Sequence, residues 1–411
     1  MKLDLEDLKE SNEFLHLLLD NINTAVLIAD KNLQIHQFNN SFLNLFDNAA
    51  QGTLAQAFGE ATGCVNAVLE NKSCGETSHC ADCVLRRSLI QSLVDSEPVD
   101  RQPLNRIFYV NGKPTPKHLQ FSTRRIAFQG KEMFLVIIHD VTEIEAQKIE
   151  LQNKQKLLET DLRAAAAIQK SLLPSASPNV DNIKIAWKFE PCEQIGGDIF
   201  NVHSVDERRV AFYMLDVCGH GVPAALISVT VSQFLNTEGG LYGNNCELLS
   251  PEAVMNKLDG AFPFERFNSY FSIIGMTIDI NEGILTYSCA GHPSPILLRS
   301  GGALKVLGYR GPIIGSGWGQ SYDQETIRLQ PGDKIFLYTD GLIENRNRKG
   351  EDFGKERLYD ALNKNRELPV SKILDTVYSE IKHFYRGAKP DDDISIMGVE
   401  YTGIGGNHFS I

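Results

Sequence analysis

The stretch YMLDVCGHGVPAAL, residues 213–226, runs an apolar strand into one carboxylate, Asp216, and continues with small residues around His220. Burying a carboxylate at the end of an apolar strand is unfavourable unless a positive group neutralises it. No Lys or Arg stands close by in the sequence. The pattern therefore predicts that Asp216 either reaches solvent or binds a cation.

Three more acidic residues share this context, each beside an apolar strand or a tight glycine turn. They are Asp198 in QIGGDIFN, Asp340 in FLYTDGLIEN and Asp392 in KPDDDISIM. Strand ends from distant parts of a chain can meet at one rim, where carboxylate oxygens bind hard cations. A single such Asp would be an ordinary turn former or helix cap, but four in one context favour a shared metal site.

The chain around these carboxylates alternates strands and helices. Strand-like runs from residue 183 onward, among them RVAFYMLDV, KIFLYTDGL and ISIMGVEY, are interrupted by helical segments near residues 223–234, 251–258 and 370–384. Many strands at hairpin spacing, with a few long helices, indicate an α+β domain built on antiparallel sheets.

Six motifs lie in this half of the chain: AAAIQKSLLP, IGGDIFN, LDVCGHGVPAAL, CAGHPSPILL, PGDKIFLYTDGLIENRNRKGEDFGKERL and DDDISIMGVE. In order and spacing they resemble the SpoIIE/RsbU-type serine phosphatases, a bacterial branch of the PPM metal-dependent phosphatases, over nearly all of residues 164–401. The resemblance implies a two-sheet β-sandwich flanked by helices, with two Mn²⁺ or Mg²⁺ ions in a cleft at one edge. It also implies hydrolysis of a phosphoserine or phosphothreonine on a regulatory protein of the anti-sigma-factor antagonist type.

The resemblance assigns a role to each of the four carboxylates. Asp216 would bridge the two ions, and Asp340 and Asp392 would complete one of them. Asp198 would help to hold the other ion. The chemistry agrees, because a phosphomonoester dianion reacts extremely slowly with water, and two metal ions both neutralise its oxygens and supply hydroxide at neutral pH.

Residues next to Asp216 complete the implied site. The Val217 carbonyl would be an additional ligand, and Gly219 and Gly221 would leave room for the phosphate. The proton-transferring His of eukaryotic-type relatives comes two residues after the bridging Asp, whereas His220 comes four residues after it. We therefore expect His220 to order the loop rather than to transfer a proton.

Three positions depart from the family pattern or stand outside its chemistry. Asn201 replaces a second acid that family members usually carry three residues after the Asp of GGD, which predicts a weaker metal position. Cys218 stands where Ser or Gly is common, without an expected consequence. His292, in AGHPSP, is expected to order its loop.

Two other functions are compatible with parts of the sequence. GGDIF looks like the GGDEF signature of diguanylate cyclases, but Ile199 replaces the second acid that those enzymes need, and the strand FYMLDV follows the signature instead of preceding it. A non-catalytic scaffold that binds sigma-factor regulators is the other alternative, and phosphatase turnover separates it from the enzyme.

The N-terminal segment has a different pattern. TAVLIADKNLQIHQFN reads as a hairpin, and RIFYVNGKPTPKHLQFSTRRIAF and KEMFLVIIHDVTEI alternate apolar and polar residues between turns. Over roughly residues 13–143 this resembles a PAS domain, a sensory module with a sheet around a small pocket. The alternative is a silent dimerisation domain with an empty pocket.

Four of the eight cysteines lie in one stretch of twenty residues within this segment: Cys64, Cys74, Cys80 and Cys83. Their spacing, C-x9-C-x5-C-x2-C, suits tetrahedral Zn²⁺ or an iron–sulfur cluster, although it matches neither a standard zinc ribbon nor a ferredoxin run. A thiol redox switch favoured by the neighbouring arginines and no sensing role are the alternatives.

The stretch from residue 141 to residue 174 is rich in helix formers and contains no Gly or Pro until its end. Two rows of residues recur every seven positions: Ile144, Leu151, Leu158, Ala165 and Leu172, and the mostly polar row Val141, Lys148, Gln155, Leu162 and Gln169. Such a seam predicts a weak, switchable coiled coil and a homodimer through residues 141–173. A monomeric amphipathic helix packed on its own domain is the alternative.

The overall composition bounds the classes of function. The chain has 411 residues, 42% hydrophobic and 22% charged, with a formal net charge of -12, which argues against a nucleic-acid surface. No apolar run approaches the roughly 20 residues that span a bilayer, and the acidic N-terminal residues are unlike a signal peptide. We expect a cytoplasmic protein without membrane contact.

The predicted organisation has four segments. An α/β PAS-like sensor domain with the cysteine cluster occupies residues 1–140, and a coiled-coil signalling helix occupies residues 141–173. The SpoIIE-type PPM phosphatase domain occupies residues 174–403, and a flexible tail follows over residues 404–411.

Overall fold

The computed structural model describes residues 18–47, 52–95, 97–128, 130–174, 182–236, 248–308, 311–317, 319, 321–386 and 389–403. The chain divides into two compact units, Met1–Leu157 and Leu158–Ile411. The predicted tail at residues 404–411 lies outside the described residues. Within the described ranges, no helix has the length and apolar character needed to cross a membrane.

The N-terminal unit is built on a five-stranded antiparallel sheet with the order β2-β1-β5-β4-β3. Its strands are β1 (Ala25–Ala29), β2 (Ile35–Phe38), β3 (Val99–Val110), β4 (Lys113–Phe128) and β5 (Lys131–Asp140). The predicted first hairpin is confirmed, because β1 pairs with β2 and the Asp30 carboxylate accepts hydrogen bonds from the backbone N–H groups of Asn32 and Gln34 at 2.8 and 2.9 Å.

Short helices cover this sheet: α1 (Asn40–Phe46), α2 (Phe58–Ala61), α3 (Val65–Glu70), a 3₁₀ turn (Cys80–Asp82) and α4 (Val84–Asp95). The Asn39 side chain caps α1 by accepting from the N–H of Phe42, and it also accepts from the N–H of Val26 in β1. This double contact fixes α1 on the sheet. Phe46 then packs within 5.0 Å of the Phe108 ring of β3, at the centre of the unit's apolar core.

Helix α5 (Thr142–Ser171) follows β5 directly and contains the boundary between the two units. The Asp140 carboxylate accepts from the backbone N–H of Thr142 at 2.9 Å and from its hydroxyl at 2.5 Å, which satisfies groups at the start of the helix. The predicted helix over residues 141–174 is therefore present almost to its predicted ends.

The C-terminal unit contains two five-stranded antiparallel sheets, with the orders β13-β10-β9-β8-β7 and β12-β11-β14-β15-β6. The strands are β6 (Ile183–Glu190), β7 (Ile199–Ser204), β8 (Arg209–Val217), β9 (Phe271–Asp279), β10 (Ile284–Ala290), β11 (Ile296–Leu298), β12 (Leu304–Val306), β13 (Glu325–Arg328), β14 (Lys334–Tyr338) and β15 (Ile394–Tyr401). One apolar cluster joins residues of both sheets, such as Ile274 in the first and Leu337 in the second. The sheets therefore pack face to face as a sandwich.

Helices cover the outer faces of this sandwich: α6 (Val222–Leu235), α7 (Pro251–Ala261), α8 (Phe264–Phe267), α9 (Asp340–Glu344), α10 (Gly354–Lys364) and α11 (Val370–Tyr385). The sequence of strand β14, KIFLY, is almost entirely apolar because both faces of the strand are buried. Leu337 faces the inter-sheet core, whereas Phe336 faces a second core formed with Leu358 of α10 and Leu374 of α11. A strand buried on both faces has no polar side to display. The predicted two-sheet sandwich flanked by helices is confirmed.

Gly398, in the middle of β15, allows α11 to approach the second sheet closely. A Cβ atom at this position would clash with Val370 Cγ2 at the start of α11 and lie 3.1 Å from Phe336 Cε1. Gly260, near the end of α7, has no atom within 4 Å of the position that its Cβ would take. The two glycines therefore predict opposite effects of adding one methyl group.

We expect Gly398→Ala to lower the free energy of unfolding of the C-terminal unit by about 1–3 kcal/mol, because the close-packed helix and sheet must separate. Gly260→Ala is the matched control, and it should raise that free energy by about 0.5–1 kcal/mol. Both tryptophans, Trp187 and Trp318, fall in the residue range of this unit, so tryptophan fluorescence in a urea titration reports its unfolding. Equal effects of the two substitutions would contradict the proposed packing.

Candidate metal centre

The four predicted carboxylates all lie at strand ends of the C-terminal sandwich. Asp198 immediately precedes β7, and Asp216 is the penultimate residue of β8, both in the first sheet. Asp340 begins α9 two residues after β14, and Asp392 stands two residues before β15, both in the second sheet. The rim at which they meet is therefore formed by both sheets.

The electrostatics of Asp216 show that these groups are near one another. Burial is the largest cause that raises the pKa of Asp216 to about 8, and the negative charges of Asp340, Asp392 and Asp393 contribute in that order. The Asp198 side chain also lies against Asp216. A carboxylate in such a position is ionised at neutral pH only when a cation compensates the surrounding negative charge.

Asp198 is the most deeply buried of the four, with 1% of its surface exposed. Its Oδ2 accepts hydrogen bonds from the Thr339 hydroxyl at 2.8 Å and from the Ser395 hydroxyl at 2.5 Å. Burial, followed by the charge of Asp216 and that of Asp393, raises the pKa of Asp198 well above its usual range.

The second carboxylate oxygen of Asp198 has no such support. Oδ1 is buried and has no hydrogen-bond partner among the residues that the structure describes. An oxygen of this kind, held rigidly through its twin and directed at other carboxylates, fits a cation ligand better than a hydrogen-bond acceptor. The donor set consists of oxygens, which Mn²⁺ and Mg²⁺ prefer.

Asp393 is a site residue that the sequence did not single out. Its carboxylate accepts from the backbone N–H groups of Cys192 at 2.8 Å, Gly197 at 2.6 Å and Asp198 at 3.3 Å. It therefore ties the GGD loop, which leads into the first sheet, to the start of β15 in the second. A Cβ atom on Gly196 would clash with this carboxylate. The two consecutive glycines before Asp198 were therefore the sequence feature that could have indicated a close contact here.

Gln169, near the end of α5, is a second site residue that was not predicted from the sequence. The seven-residue spacing assigned it to the polar row of a coiled-coil seam, but its side chain is only 4% exposed. Its Nε2 donates to the Gly196 carbonyl at 2.7 Å, and its Oε1 accepts from the Gly196 N–H at 3.2 Å. Gln169 thus holds the backbone two residues before Asp198, and the seam does not extend to it.

The backbone positions implied by the resemblance occupy the turn after β8. Val217 is the last residue of that strand, and a Cβ on Gly197 would come within 2.8 Å of its carbonyl oxygen. Gly219 and Gly221 have φ values of 95° and 78°, which favour glycine. The absence of a side chain at residue 197 therefore keeps the Val217 carbonyl uncovered on that side.

The two histidines of the motifs have different environments. His220 is exposed, and its Nδ1 lies 3.1 Å from a carboxylate oxygen of Glu193. His292 is fully buried, its Nδ1 lies 2.8 Å from the hydroxyl of Ser272, and burial lowers the pKa of its ring to about 3. Ser272 pairs with Asp216 across the β8–β9 register, so neutral His292 packs behind the metal-side strand.

Cys192 lies near the carboxylates, and Asn201 follows Asp198 by three residues, but neither fits as a metal ligand. Cys192, Asp392 and Asp393 place ligand atoms within 4.8 Å of one another. Burial, followed by the charge of Asp393, raises the pKa of the Cys192 thiol to about 12, so it remains a neutral thiol and a poor ligand for hard cations. Asn201, which replaces the usual acid, donates to the Leu172 carbonyl at 3.0 Å instead.

The predicted cysteine site lies in the N-terminal unit. Cys64, Cys74, Cys80 and Cys83 are all free thiols and all line one cavity. The structure therefore brings together the four residues that the spacing grouped.

Comparisons with known proteins agree with this geometry. The model of the family "Stage II sporulation protein E (SpoIIE)" matches residues 206–402, which include Asp216, Asp340 and Asp392 but not Asp198. Among solved structures, the SiaA-PP2C domain of Pseudomonas aeruginosa superposes with a TM-score of 0.51 at 22% identity, covering 60% of this chain and 98% of that domain. This likeness establishes the fold of the C-terminal unit.

Curated relatives point the same way. Phosphoserine phosphatase RsbP of Bacillus subtilis is 26% identical over 241 residues, which cover 57% of this chain and 56% of RsbP. Phosphoserine phosphatase RsbU of the same species is 24% identical over 203 residues, 49% of this chain and 58% of RsbU. Protein IcfG of Synechocystis is 24% identical over 289 residues, 65% of this chain and 45% of IcfG. The chain thus spans about half the length of these relatives, and its C-terminal unit is similar in sequence to the SpoIIE/RsbU-type phosphatases.

Proposed function

We propose that this chain is a metal-dependent phosphatase that hydrolyses phosphoserine or phosphothreonine on a regulatory protein. The observation that carries the proposal is the buried Asp198 Oδ1, which lacks a hydrogen-bond partner among the described residues and lies beside Asp216 at a rim of four carboxylates. The names of RsbP and RsbU, both phosphoserine phosphatases, support the same reaction.

The four carboxylates are the proposed ligands of two Mn²⁺ or Mg²⁺ ions. Asp216 would bridge them, and Asp340 and Asp392 would complete one position. Asp198, together with the Val217 carbonyl, would hold the other. When bound, the ions would supply positive charge for the phosphate oxygens and make a water molecule acidic enough to provide hydroxide at neutral pH.

The remaining residues of the site act by holding these groups in place. Thr339 and Ser395 fix the orientation of Asp198, and Asp393 fixes the loop that carries it. Because these donors are already in place, little reorganisation is needed when a charged substrate arrives. Gly219 and Gly221 would leave the turn after β8 open to the phosphate group.

The substrate class follows from the family resemblance. A regulator of the anti-sigma-factor antagonist type is the proposed phosphoprotein. The exposed rim of this site suits a phosphorylated side chain on a protein surface, since Asp392 and the turn at Gly219 are both exposed.

We further propose that a PAS-like sensor in the N-terminal unit controls the phosphatase through α5. The apolar seam residues Ile144, Leu151 and Leu158 are 62%, 67% and 59% exposed. Exposed apolar residues at seven-residue spacing suit a second copy of the same helix as partner. The segments 1–140, 141–173, 174–403 and 404–411, and the cytoplasmic location, stay predictions from the sequence.

Asp216→Asn should lower Mn²⁺-dependent hydrolysis of a phosphoserine-bearing protein by at least about 100-fold, because an amide lacks the charge needed to bridge two cations. Phosphate release measures this effect, and circular dichroism checks the fold. Asp391→Asn, two residues before the Asp393 clamp and outside the proposed ligand set, is the matched control and should keep normal turnover.

Near-normal turnover of Asp216→Asn with full metal occupancy would contradict the mechanism. Wild-type protein that binds Mn²⁺ but releases no phosphate from any phosphoserine protein tested would favour the non-catalytic scaffold.

Gln169→Ala should raise the Mn²⁺ concentration needed for half-maximal activity by about 10-fold, because the GGD loop loses both hydrogen bonds that hold Gly196. Gln152→Ala, on an exposed part of the same helix, should leave that concentration unchanged. The measurement is a Mn²⁺ titration of phosphate release. An identical titration curve for Gln169→Ala would remove Gln169 from the support of the site.

Replacing Lys148 and Gln155 together with Leu should tighten a parallel dimer and hold the phosphatase in one activity state, because two polar seam positions become apolar. The dimer dissociation constant from sedimentation equilibrium measures this effect. Ala146→Leu with Asn153→Leu adds apolar area away from the seam and serves as control. Unchanged oligomerisation in the Lys148 and Gln155 variant would exclude the seam as the dimer contact.

A further inference from the structure

The cavity lined by Cys64, Cys74, Cys80 and Cys83 lies within the N-terminal unit. Its enclosed space is about 20 Å³, and the rest of the cavity is open to solvent. Cys64 precedes α3 and Cys74 follows it, whereas Cys80 begins the 3₁₀ turn and Cys83 follows that turn. All four cysteines line this one cavity.

The sulfur atoms of three of these cysteines already accept hydrogen bonds. Arg106 Nη1 donates to Cys64 Sγ at 3.3 Å, and Arg86 Nη2 lies 3.7 Å from Cys74 Sγ. The N–H of Gly75 donates to Cys80 Sγ at 3.1 Å. Donors directed at sulfur stabilise thiolates, which are the form that binds metals.

The pKa shifts differ between the cysteines: burial raises the pKa of Cys74, whereas the pKa of Cys80 is lowered toward the thiolate form. Burial raises the pKa of Cys80, but hydrogen bonds from Thr77 and Gly75 outweigh it and leave the pKa lowered. Burial lowers the pKa of Arg106. The hydrogen bond to Cys64 and the charges of Cys83, Cys64 and Cys80 have a larger opposite effect, so the net pKa of Arg106 is raised. Arg106 therefore lies close to three of the four sulfurs.

The charges of the site add up to a specific requirement. Four thiolates carry four negative charges, and Arg86 and Arg106 line the same cavity and supply two positive charges. A bound group with two positive charges would make the site neutral, which a partly buried site needs. Both Zn²⁺ and the oxidised core of a four-thiolate iron–sulfur cluster carry that charge.

The sulfurs stand farther apart than the ligands of one zinc ion, which favours the larger of the two groups. Four sulfurs around one zinc ion, at about 2.3 Å from it, lie roughly 3.8 Å from one another. Among the described residues, the sole group of three or more ligand atoms within 4.8 Å of one another is the one at Cys192, so no three of these four sulfurs are that close. In a [4Fe–4S] cluster each of the four thiolates binds a different iron, so the sulfurs stand farther apart.

We propose that Cys64, Cys74, Cys80 and Cys83 hold an iron–sulfur cluster in the N-terminal unit, with Arg86 and Arg106 neutralising its charge. The site is independent of the proposed phosphatase reaction, because none of its residues belongs to the C-terminal unit. Its occupancy would depend on the supply of iron and sulfide.

The test uses the full-length chain, incubated anaerobically with equal amounts of ferrous and ferric iron and with sulfide, which together give the doubly charged core without a further oxidant, and then desalted. We expect stoichiometric iron and acid-labile sulfide, a visible absorption band that bleaches with dithionite, and protection of the four cysteines from alkylation. Cys80→Ser with Cys83→Ser should lose the bound iron, since hydroxyl oxygen binds it less well than thiolate. Cys289→Ser, a buried cysteine of the C-terminal unit, is the matched control and should keep the cluster.

Alkylation of the wild-type chain keeps the test decisive even when the double variant fails to fold. The proposal is overturned by one equivalent of zinc that keeps iron and sulfide out of the site when zinc, iron and sulfide are supplied together. It is also overturned by iron that leaves on desalting while all four thiols stay alkylatable. Iron retained by a folded Cys80 and Cys83 double variant would overturn it as well.

Discussion

The carboxylate of Asp393 is the contact on which the geometry of the phosphatase site depends. It accepts three backbone N–H groups from the segment that leads into β7, across a separation of about 200 residues. The first sheet and the second sheet are thereby joined at the rim where the acidic residues meet. Asp198 can accept from Thr339, which follows β14, and from Ser395 of β15 because this clamp holds its loop in place. The site therefore forms only in the assembled sandwich.

The same arrangement is electrostatically unfavourable without a cation. Burial and neighbouring carboxylates raise the pKa of both Asp198 and Asp216. At neutral pH these carboxyl groups must therefore either keep their protons or repel the neighbouring carboxylates as anions. The apolar cores on both sides of the second sheet hold the strands in place despite this repulsion. In the pH range between the ordinary pKa of such an acid and its raised pKa in the fold, the folded state binds more protons than the unfolded state. The metal-free fold therefore becomes less stable as the pH rises through this range. Divalent cations would remove that cost.

Much of this could be predicted from the sequence, because apolar runs and glycine turns encode the strands and their ends. The four carboxylates, the first hairpin and the long helix follow from such local patterns. Asp393 was missed because residue type cannot tell which of three consecutive Asp side chains faces the rim, and the register of β15 decides that. Gln169 was assigned to a helical seam because a seven-residue period describes only the helix, whereas a distant loop at Gly196 determines what buries it. Contacts between residues far apart in sequence account for both errors.

Anomalous diffraction at the manganese edge, from crystals of the full-length chain grown with Mn²⁺, would locate the ions and their ligands directly. We expect two manganese peaks that share Asp216 as a ligand, with Asp198 at one and Asp340 and Asp392 at the other. Manganese bound only at the Cys192, Asp392 and Asp393 group, with Asp198 Oδ1 left without a ligand contact, would contradict the proposed two-metal site.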